Sequence, residues 1–512
     1  MLFALFAILA IALIFLWRIT RLPTRPDLSP DHVTTPDGTR LGKMWPDLET
    51  TGLLPLPDGI EAFATRLKLV EQAEHSLDVQ YYLWRPDACG SLMFDALRRA
   101  ADRGVKVRIL LDDNATKRID PRIVWMDAHP QVEVRLFNPF PLRGMRLLGY
   151  AMDFARLNRR MHNKALVADG RAAVLGGRNI GDEYYNDLAR MGTFMDFDAL
   201  VMGKAAQEAR EEFETYWNSE PTWPASAILP QRLLKDETTG GTQNAECLTS
   251  EGAQKFAALL EQTPTTDELE ADRPTLRQAE VKLLYDAPEK VLGRARRRNL
   301  LFPNMHMAMG TPTKSFDIIS PYFVPRNAGR RQLIKLAKAG VKVRILTNSL
   351  ASSDKPIVHT GYAGQRRKLL SGGVEIFEFA HDEHVKFRRG LIGHHRRGTS
   401  PFARTKLHAK ILSVDVEKVF IGTFNFDPRS LLLNTEMGIV IHDKKWAEDL
   451  HKGFETVIPA AAWQLTREHK RIRWERQVDG QGTEVWHHEP YTSWWQRSLI
   501  VAGSLLPIEW LL

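Results

Sequence analysis

Hydrophobic and polar positions divide this chain into segments of three kinds. One is an unbroken apolar run, Leu2–Trp17 (LFALFAILAIALIFLW). The second kind is rich in β-branched and aromatic residues: LDVQYYLW (77–84), VEVRLF (132–137), FDIISPYFV (316–324) and VEIFEF (374–379). The third repeats its apolar residues at helical spacing: SLMFDALRRAADR (91–103) and RRQLIKLAKA (330–339). Side chains alternate every two residues in a strand and every 3.6 in a helix, so the second kind predicts strands and the third helices.

These segments occur twice in the same order. The heptapeptide Gly-Val-Lys-Val-Arg-Ile-Leu stands at 104–110 and again, unchanged, at 340–346. Each copy follows a helical segment and each helical segment follows a strand-like one. Strand, helix, strand with short connections is a βαβ unit, and it predicts a parallel or mixed sheet. Two homologous α/β lobes follow, roughly 55–220 and 275–465, each a mixed β-sheet flanked by helices. Residues 221–274 contain TTGGTQ and TPTTDELEADRP. They read as a linker with some helix at 251–262.

Both ends are apolar. A membrane span needs roughly 20 apolar residues, with about 17 as the lower limit. Leu2–Trp17 is short, but Arg18 can snorkel and extend it. No basic residue precedes the run and no small-residue cleavage site follows it. Residues 1–18 therefore read as a retained membrane anchor, with a cleaved signal peptide as the rival. Arg18, Arg21 and Arg25 follow, and the positive-inside rule would keep the remainder cytoplasmic. The last segment, 466–512, ends in PYTSWWQRSLIVAGSLLPIEWLL, where Trp494, Trp495 and Trp510 bracket an interrupted apolar stretch. That pattern suits either a bilayer interface or packing on the core.

Composition narrows the class. The 512 residues are 44% hydrophobic and 26% charged, which is globular and excludes a disordered or many-span chain. The formal charge of +8 attracts polyanions, whether anionic lipid headgroups or nucleic acid. The two cysteines, Cys89 and Cys247, make neither a disulfide framework nor a zinc site.

The same polar pattern recurs inside the repeat. RRMHNKALVADG holds His162, Lys164 and Asp169, and TKLHAKILSVDV holds His408, Lys410 and Asp415. Gly176 and Asn179 in GGRN match Gly422 and Asn425 in GTFN. With 16 histidines, a Lys two residues on and an Asp seven on should arise by chance in about 0.04 places, taking each as one in twenty. Two copies in register within a repeated lobe are not chance. Residues two apart in a strand share a face, so each His emerges beside its Lys. An imidazole is a nucleophile or a proton donor near neutral pH. An ammonium neutralises a phosphate oxygen during displacement. If the lobes face each other, two His and two Lys converge on one phosphate. Asp169 precedes Gly170, a hairpin-turn signal, whereas Asp415 precedes Val416; both aspartates read as supporting residues of the motif.

The duplicated HxKxxxxD followed by GxxN resembles the phospholipase D superfamily. RLNRRMHNK, GGRNIGDEYY and IGTFNFDPRSLLLNTEMG resemble bacterial cardiolipin synthases, and LDVQYY, EVRLFNPF and PIEWLL point to their C subgroup. The resemblance implies an active site at the lobe interface of a bacterial inner-membrane enzyme, without metal or other cofactor. His162 would attack phosphorus and form a phosphatidyl-histidine. His408 would protonate the leaving headgroup and deprotonate the incoming hydroxyl. Lys164, Lys410, Asn179 and Asn425 would hold phosphate oxygens. An acidic residue after each motif orients a histidine; by position these are Glu436 and, across a longer loop, Asp196. Thr423 fills a place where the family has a small hydroxyl residue, while Gly177 fills it in the first half. The reaction implied moves a phosphatidyl group from phosphatidylglycerol or phosphatidylethanolamine to phosphatidylglycerol. Its partners are anionic phospholipids and the membrane rather than nucleic acid. A phospholipase D hydrolase uses the same residues with water as acceptor; a nuclease or an inactive lipid-binding scaffold fits the apolar ends or the intact motifs less well. His381, His384, His394 and His395 lie in a basic stretch, 381–404, that reads as a loop able to meet anionic headgroups or simply solvated.

Overall fold

The computed structural model describes residues 21–28, 30–34, 38–185, 193–380, 406–469, 471–478 and 482–504. The apolar run before residue 18, the basic stretch 381–404 and Trp510 lie outside them. Among the described residues no helix is long and apolar enough to cross a membrane.

The first half contributes strands β1 (Thr51–Leu56), β2 (Ser76–Leu83), β3 (Lys106–Ala115), β4 (Val132–Phe137), β5 (Ala165–Ala168), β6 (Ala172–Gly176), β7 (Phe194–Met195), β8 (Asp198–Gly203) and β9 (Thr222–Pro224). The second contributes β10 (Arg277–Tyr285), β11 (Ser315–Ile319), β12 (Lys342–Asn348), β13 (Glu375–Phe379), β14 (Lys406–Leu407), β15 (Ile411–Val414), β16 (Lys418–Gly422), β17 (Met437–His442) and β18 (Ala462–Glu468). A terminal hairpin of β19 (Arg471–Val478) and β20 (Gly482–Trp486) extends it.

The pairings repeat. β2, β3 and β4 are parallel neighbours, as are β11, β12 and β13. β5, β6 and β8 then add antiparallel to β2, as β15, β16 and β17 add to β11. β1 closes the first series on β8 and β10 closes the second on β17. β1 and β10 also pair with each other, so the two series run into one 18-stranded sheet. The seam between β1 and β10 is the approximate two-fold axis of the molecule.

The repeated heptapeptide lies at the start of β3 and β12, and its arginine has a physical reason. Arg108 stands beside Asp78 on the neighbouring parallel strand, and Arg344 beside Asp317. Both arginines are buried, and their Nε–carboxylate distances are 2.7 and 2.6 Å. A buried guanidinium needs such a partner, so Arg and Asp are retained together.

Helices Gly59–Gln72 and Ala88–Asp102 cover the outer face of the first series. Three further helices, Thr239–Leu248, Glu251–Leu260 and Pro264–Glu270, fall within the stretch that composition reads as a linker. They pack on that cover and bury Phe256, Leu260 and Leu269 in its core. Helices Leu301–Met309 and Arg326–Lys338 cover the second series. The inner faces share one core, in which Ala205, Ala209, Val167 and Ala173 of the first half meet Ile411, Val419, Trp446 and Leu450 of the second.

Candidate active site

β5 runs antiparallel to β2, with Ala165 opposite Gln80, so His162 sits at the carboxyl end of β2. By the same arrangement His408 sits at the carboxyl end of β11. Each histidine follows a short backbone bridge to the other half. Met161 pairs with Thr435, and the His162 amide donates to the Thr435 carbonyl at 2.9 Å. β14 pairs with β7, and the His408 amide donates to the Met195 carbonyl at 2.8 Å. The two motifs are thus stitched to opposite lobes immediately before their reactive side chains.

The acidic partners cross the same boundary. His162 Nδ1 is 2.8 Å from Glu436 Oε2, and His408 Nδ1 is 2.5 Å from Asp196 Oδ2. Sequence position associates Glu436 with the second motif and Asp196 with the first. In the structure each carboxylate serves the histidine of the other lobe. Register confirms that the two acids occupy equivalent places: Asp196 lies two residues before Asp198, which pairs with Gly176, and Glu436 two before Gly438, which pairs with Gly422. A carboxylate accepts, so Nδ1 of each ring carries the proton and Nε2 keeps its lone pair for chemistry.

The two pairs are supported differently. Glu436 accepts from the Thr423 hydroxyl at 2.5 Å and from Ser430 at 2.7 Å. Asp196 accepts the Phe197 amide at 2.8 Å. A Cβ on Gly177 would stand 2.1 Å from Asp196 Oδ1. The place held by the Thr423 side chain in one half is therefore left vacant by Gly177 for a carboxylate in the other. The hydroxyl contact expected from symmetry exists only on the Glu436 side.

Lys164 Nζ donates to the His162 carbonyl at 2.7 Å, and Lys410 donates to the His408 carbonyl and lies 2.9 Å from His408 Nδ1. All four side chains are buried. Burial pushes both histidines down to about 4, with Glu436 opposing the fall for His162, and with Lys410 adding to it and Asp196 opposing it for His408. Burial likewise brings Lys164 down to about 7 and Lys410 to about 8. Burial works to raise the two carboxylates but is outweighed: Asp196 is held down by Lys410 and His408, Glu436 by His162 and Lys164. The resting site thus holds neutral imidazoles and ionised acids.

The other expected residues divide. Asn425 lies on the loop after β16, and its Oδ1 is buried without a hydrogen-bond partner. Asn179 is already engaged, accepting the Leu83 amide at 3.1 Å and donating to the Tyr184 hydroxyl at 2.8 Å. Asp169 and Asp415 are not at the site. Their strands carry them to the opposite end of the sheet, up to about 23 Å from their histidines at about 3.3 Å per residue. Asp169 accepts the amides of Glu74, His75 and Ser76, and Asp415 those of Thr313, Lys314 and Ser315. Each ties a loop to the start of β2 or β11. Asp169–Gly170 and Asp415–Val416 all have positive φ, so both hairpins turn alike even though one has no glycine.

Some neighbours are not indicated by the motifs. The Tyr82 ring lies 5.3 Å from His162, and Lys164 Nζ is 5.7 Å from its centre. Tyr184 and Phe194 flank His408 at 5.3 and 4.9 Å. Ser430 and Tyr184 stand five residues after Asn425 and Asn179 respectively, a spacing that could have found them.

Comparison with known proteins agrees with this geometry. The family model described as cardiolipin synthase, PLD-like domain, matches residues 67–217 and 305–458. Cardiolipin synthase C of Escherichia coli K12 is 43% identical over 468 residues, covering 90% of this chain and 96% of that protein. Cardiolipin synthase 1 of Bacillus cereus is 27% identical over 409 residues, covering 80% of this chain and 66% of that protein. Among solved structures, the phosphatidylserine synthase of Haemophilus influenzae is similar at a TM-score of 0.56 and 14% identity, over 92% of this chain and 100% of its own.

Proposed function

This chain belongs to the phospholipase D-like cardiolipin synthase family and is a phospholipid phosphatidyltransferase, and on that premise we propose that it joins two lipids by a double displacement at His162. The observation that carries this is the crossed pairing of His162 with Glu436 and His408 with Asp196. It presents two imidazoles, each held at Nδ1 by a carboxylate of the other half, with Lys410 Nζ also 3.2 Å from His408 Nε2.

In the first step His162 Nε2 bonds to the phosphorus of phosphatidylglycerol or phosphatidylethanolamine. The bond from phosphorus to the headgroup oxygen breaks, and that oxygen takes the proton of His408. In the second step a glycerol hydroxyl of phosphatidylglycerol gives its proton to His408, its oxygen bonds to phosphorus, and the bond to His162 breaks. The product is cardiolipin; His162 is free again, and His408 is protonated as it was when the donor bound, giving that proton to solvent as the product leaves. Lys164, Lys410 and the Asn425 amide hold the non-bridging oxygens. Thr423, Glu436 and Asp196 position the histidines rather than touch the lipid. His408 is neutral in the resting site; an arriving phosphodiester anion offsets its burial and lets it take the proton the first step requires. The lobes 55–220 and 275–465 each supply one half of this centre, and residues 1–18 and the C-terminal segment attach it to the inner membrane.

The test is product analysis. The full chain is given phosphatidylglycerol with and without phosphatidylethanolamine, and products are identified by mass spectrometry. Cardiolipin with released glycerol or ethanolamine supports the proposal and names the donor. Phosphatidic acid alone makes the enzyme a hydrolase.

A further inference from the structure

The exposed apolar side chains are concentrated at one end of the molecule. In the first half, the segment between β4 and His162 forms a helix, Arg146–Met152, and a short turn, Phe154–Leu157. It exposes Leu147 at 87% and Phe154 at 42%. Its Tyr150 hydroxyl donates to Asn114 at 2.9 Å, Asn114 donates to the Tyr82 hydroxyl at 3.1 Å, and Tyr82 packs on His162. The segment is therefore the rim of the His162 site.

The second half has a matching rim of different origin. Helix Pro356–Ala363 follows the carboxyl end of β12, and Asp354 just before it accepts from the Tyr322 hydroxyl at 2.8 Å. Helix Trp494–Ser504 packs on it, Gly503 lying against Thr360. Together they expose Ile357, Trp494, Trp495 and Leu499, each more than half accessible. Arg118, Arg326 and Lys355 are exposed at the same end, where β3, β11 and β12 finish.

The described chain also begins here. Arg25 donates to the carbonyls of Thr222 and Ser219, and Thr222 pairs with Phe137 at the carboxyl end of β4. The first described residues, 21–28, and the last described helix, Trp494–Ser504, thus both lie toward this end.

We propose that this end is a bilayer-docking face contributed by both lobes, in which Leu147 and Phe154 on one rim and Ile357, Trp494 and Leu499 on the other enter an anionic phospholipid surface and set the paired histidines against it. The inference rests on the lipid-transfer reading above and adds how the substrate reaches the site. Exposed apolar residues grouped on one face, as Leu147, Ile357, Trp494 and Leu499 are here, mark a surface that a non-aqueous partner covers. Tryptophans beside aliphatics and cations are the composition that an anionic lipid interface selects. With a rim on each side of the cleft, a lipid passes from the leaflet to phosphorus attack without crossing water.

The experiment compares turnover of phosphatidylglycerol in bilayer vesicles and in detergent micelles, for the full chain and for the Leu147→Glu, Ile357→Glu double variant. Both residues are exposed and neither touches the four catalytic side chains, so micelle turnover should stay unchanged. Vesicle turnover should fall by at least about tenfold, the effect of 1.4 kcal/mol of lost insertion. Unchanged vesicle turnover overturns the proposal, and so does an equal fall in both assemblies. Absence of lipid transfer by the unaltered chain in micelles would instead overturn the proposed reaction.

Discussion

Replacing Glu436 by Gln isolates one charge at the nucleophile. Three donors converge on this carboxylate: His162 Nδ1 and Thr423 Oγ1 on one oxygen, Ser430 Oγ on the other. A glutamine can place its carbonyl where Oε2 stood and keep the first two contacts. Its NH2 then faces Ser430, whose hydroxyl turns to accept. The ring keeps its orientation and tautomer, so only the charge is lost. Two effects set the size of the loss. A hydrogen bond to a charged partner is worth roughly 1 kcal/mol more than one to a neutral partner. The ring also gains positive charge as Nε2 bonds to phosphorus, and a full charge about 4 Å away contributes up to about 4 kcal/mol at an effective dielectric of 20. Taking about 2.7 kcal/mol as the net, formation of the covalent intermediate slows roughly a hundredfold. The assay uses a phosphatidyl donor whose headgroup is p-nitrophenol, which departs without a proton, so the first step no longer depends on His408. Glu436→Gln should release nitrophenolate about a hundredfold more slowly, and Asp196→Asn at close to the unaltered rate. The opposite pattern would refute either the crossed assignment or the choice of His162 as nucleophile.

With Lys164 brought to about 7 and Lys410 to about 8, their phosphate-binding charge is present at low pH and lost as pH rises through those values. The kcat/KM for the nitrophenyl donor should decline from pH 7 to 9 with no acid limb until about pH 4, where His162 protonates; a rate still rising at pH 9 would contradict this. Gly177→Ala displaces Asp196 from His408 and should slow donors with alcohol headgroups more than the nitrophenyl donor; equal slowing would place the fault in folding. Asp415→Asn removes the charge that binds three successive amides and should lower stability in urea by about 2 kcal/mol while the folded enzyme keeps its kcat. Burial opposes ionisation of Asp415, but the amides of Lys314 and Ser315 outweigh it and hold the carboxyl below its usual range. Its contribution is therefore present above the unfolded value near 4 and is lost as pH falls through the folded one. A variant as stable as the parent at pH 7 would refute the anchoring role of Asp415.

The lobes and the reactive pairs were legible because they are written as local patterns. The strand segments, the heptapeptide and the His-x-Lys spacing each depend on neighbours along the chain. Asp169 was legible as a turn residue through Gly170, but the identical turn at Asp415 was masked by Val416, which takes φ 58° where glycine is expected. The crossing of Glu436 and Asp196 was not legible, because spacing fixes a residue's place in its own lobe and says nothing about which lobe it faces. The offset between the acids, 34 residues after His162 and 28 after His408, came from the loops before β8 and β17, and register resolves it. Tyr82 was hidden because LDVQYYLW reads equally well as an ordinary strand. The helix expected within 251–262 is there as Glu251–Leu260, but its neighbours Thr239–Leu248 and Pro264–Glu270 were hidden because Thr, Gly and Pro suggest a tether, whereas Leu269 finds an uncovered face to bury.

The crossed acids make the two halves mutually dependent, like two keys that each open the other's lock. A module of this kind standing alone would carry a histidine without its orienting carboxylate and a carboxylate without its histidine, so it could act only as a pair. Once both copies lie in one chain, the pair no longer has to be identical. Gly177 opposite Thr423, and Tyr184 opposite Ser430, are the marks of that freedom. A single substitution now alters the nucleophile's surroundings without altering the proton carrier's, so selection can tune bond making and proton transfer one at a time.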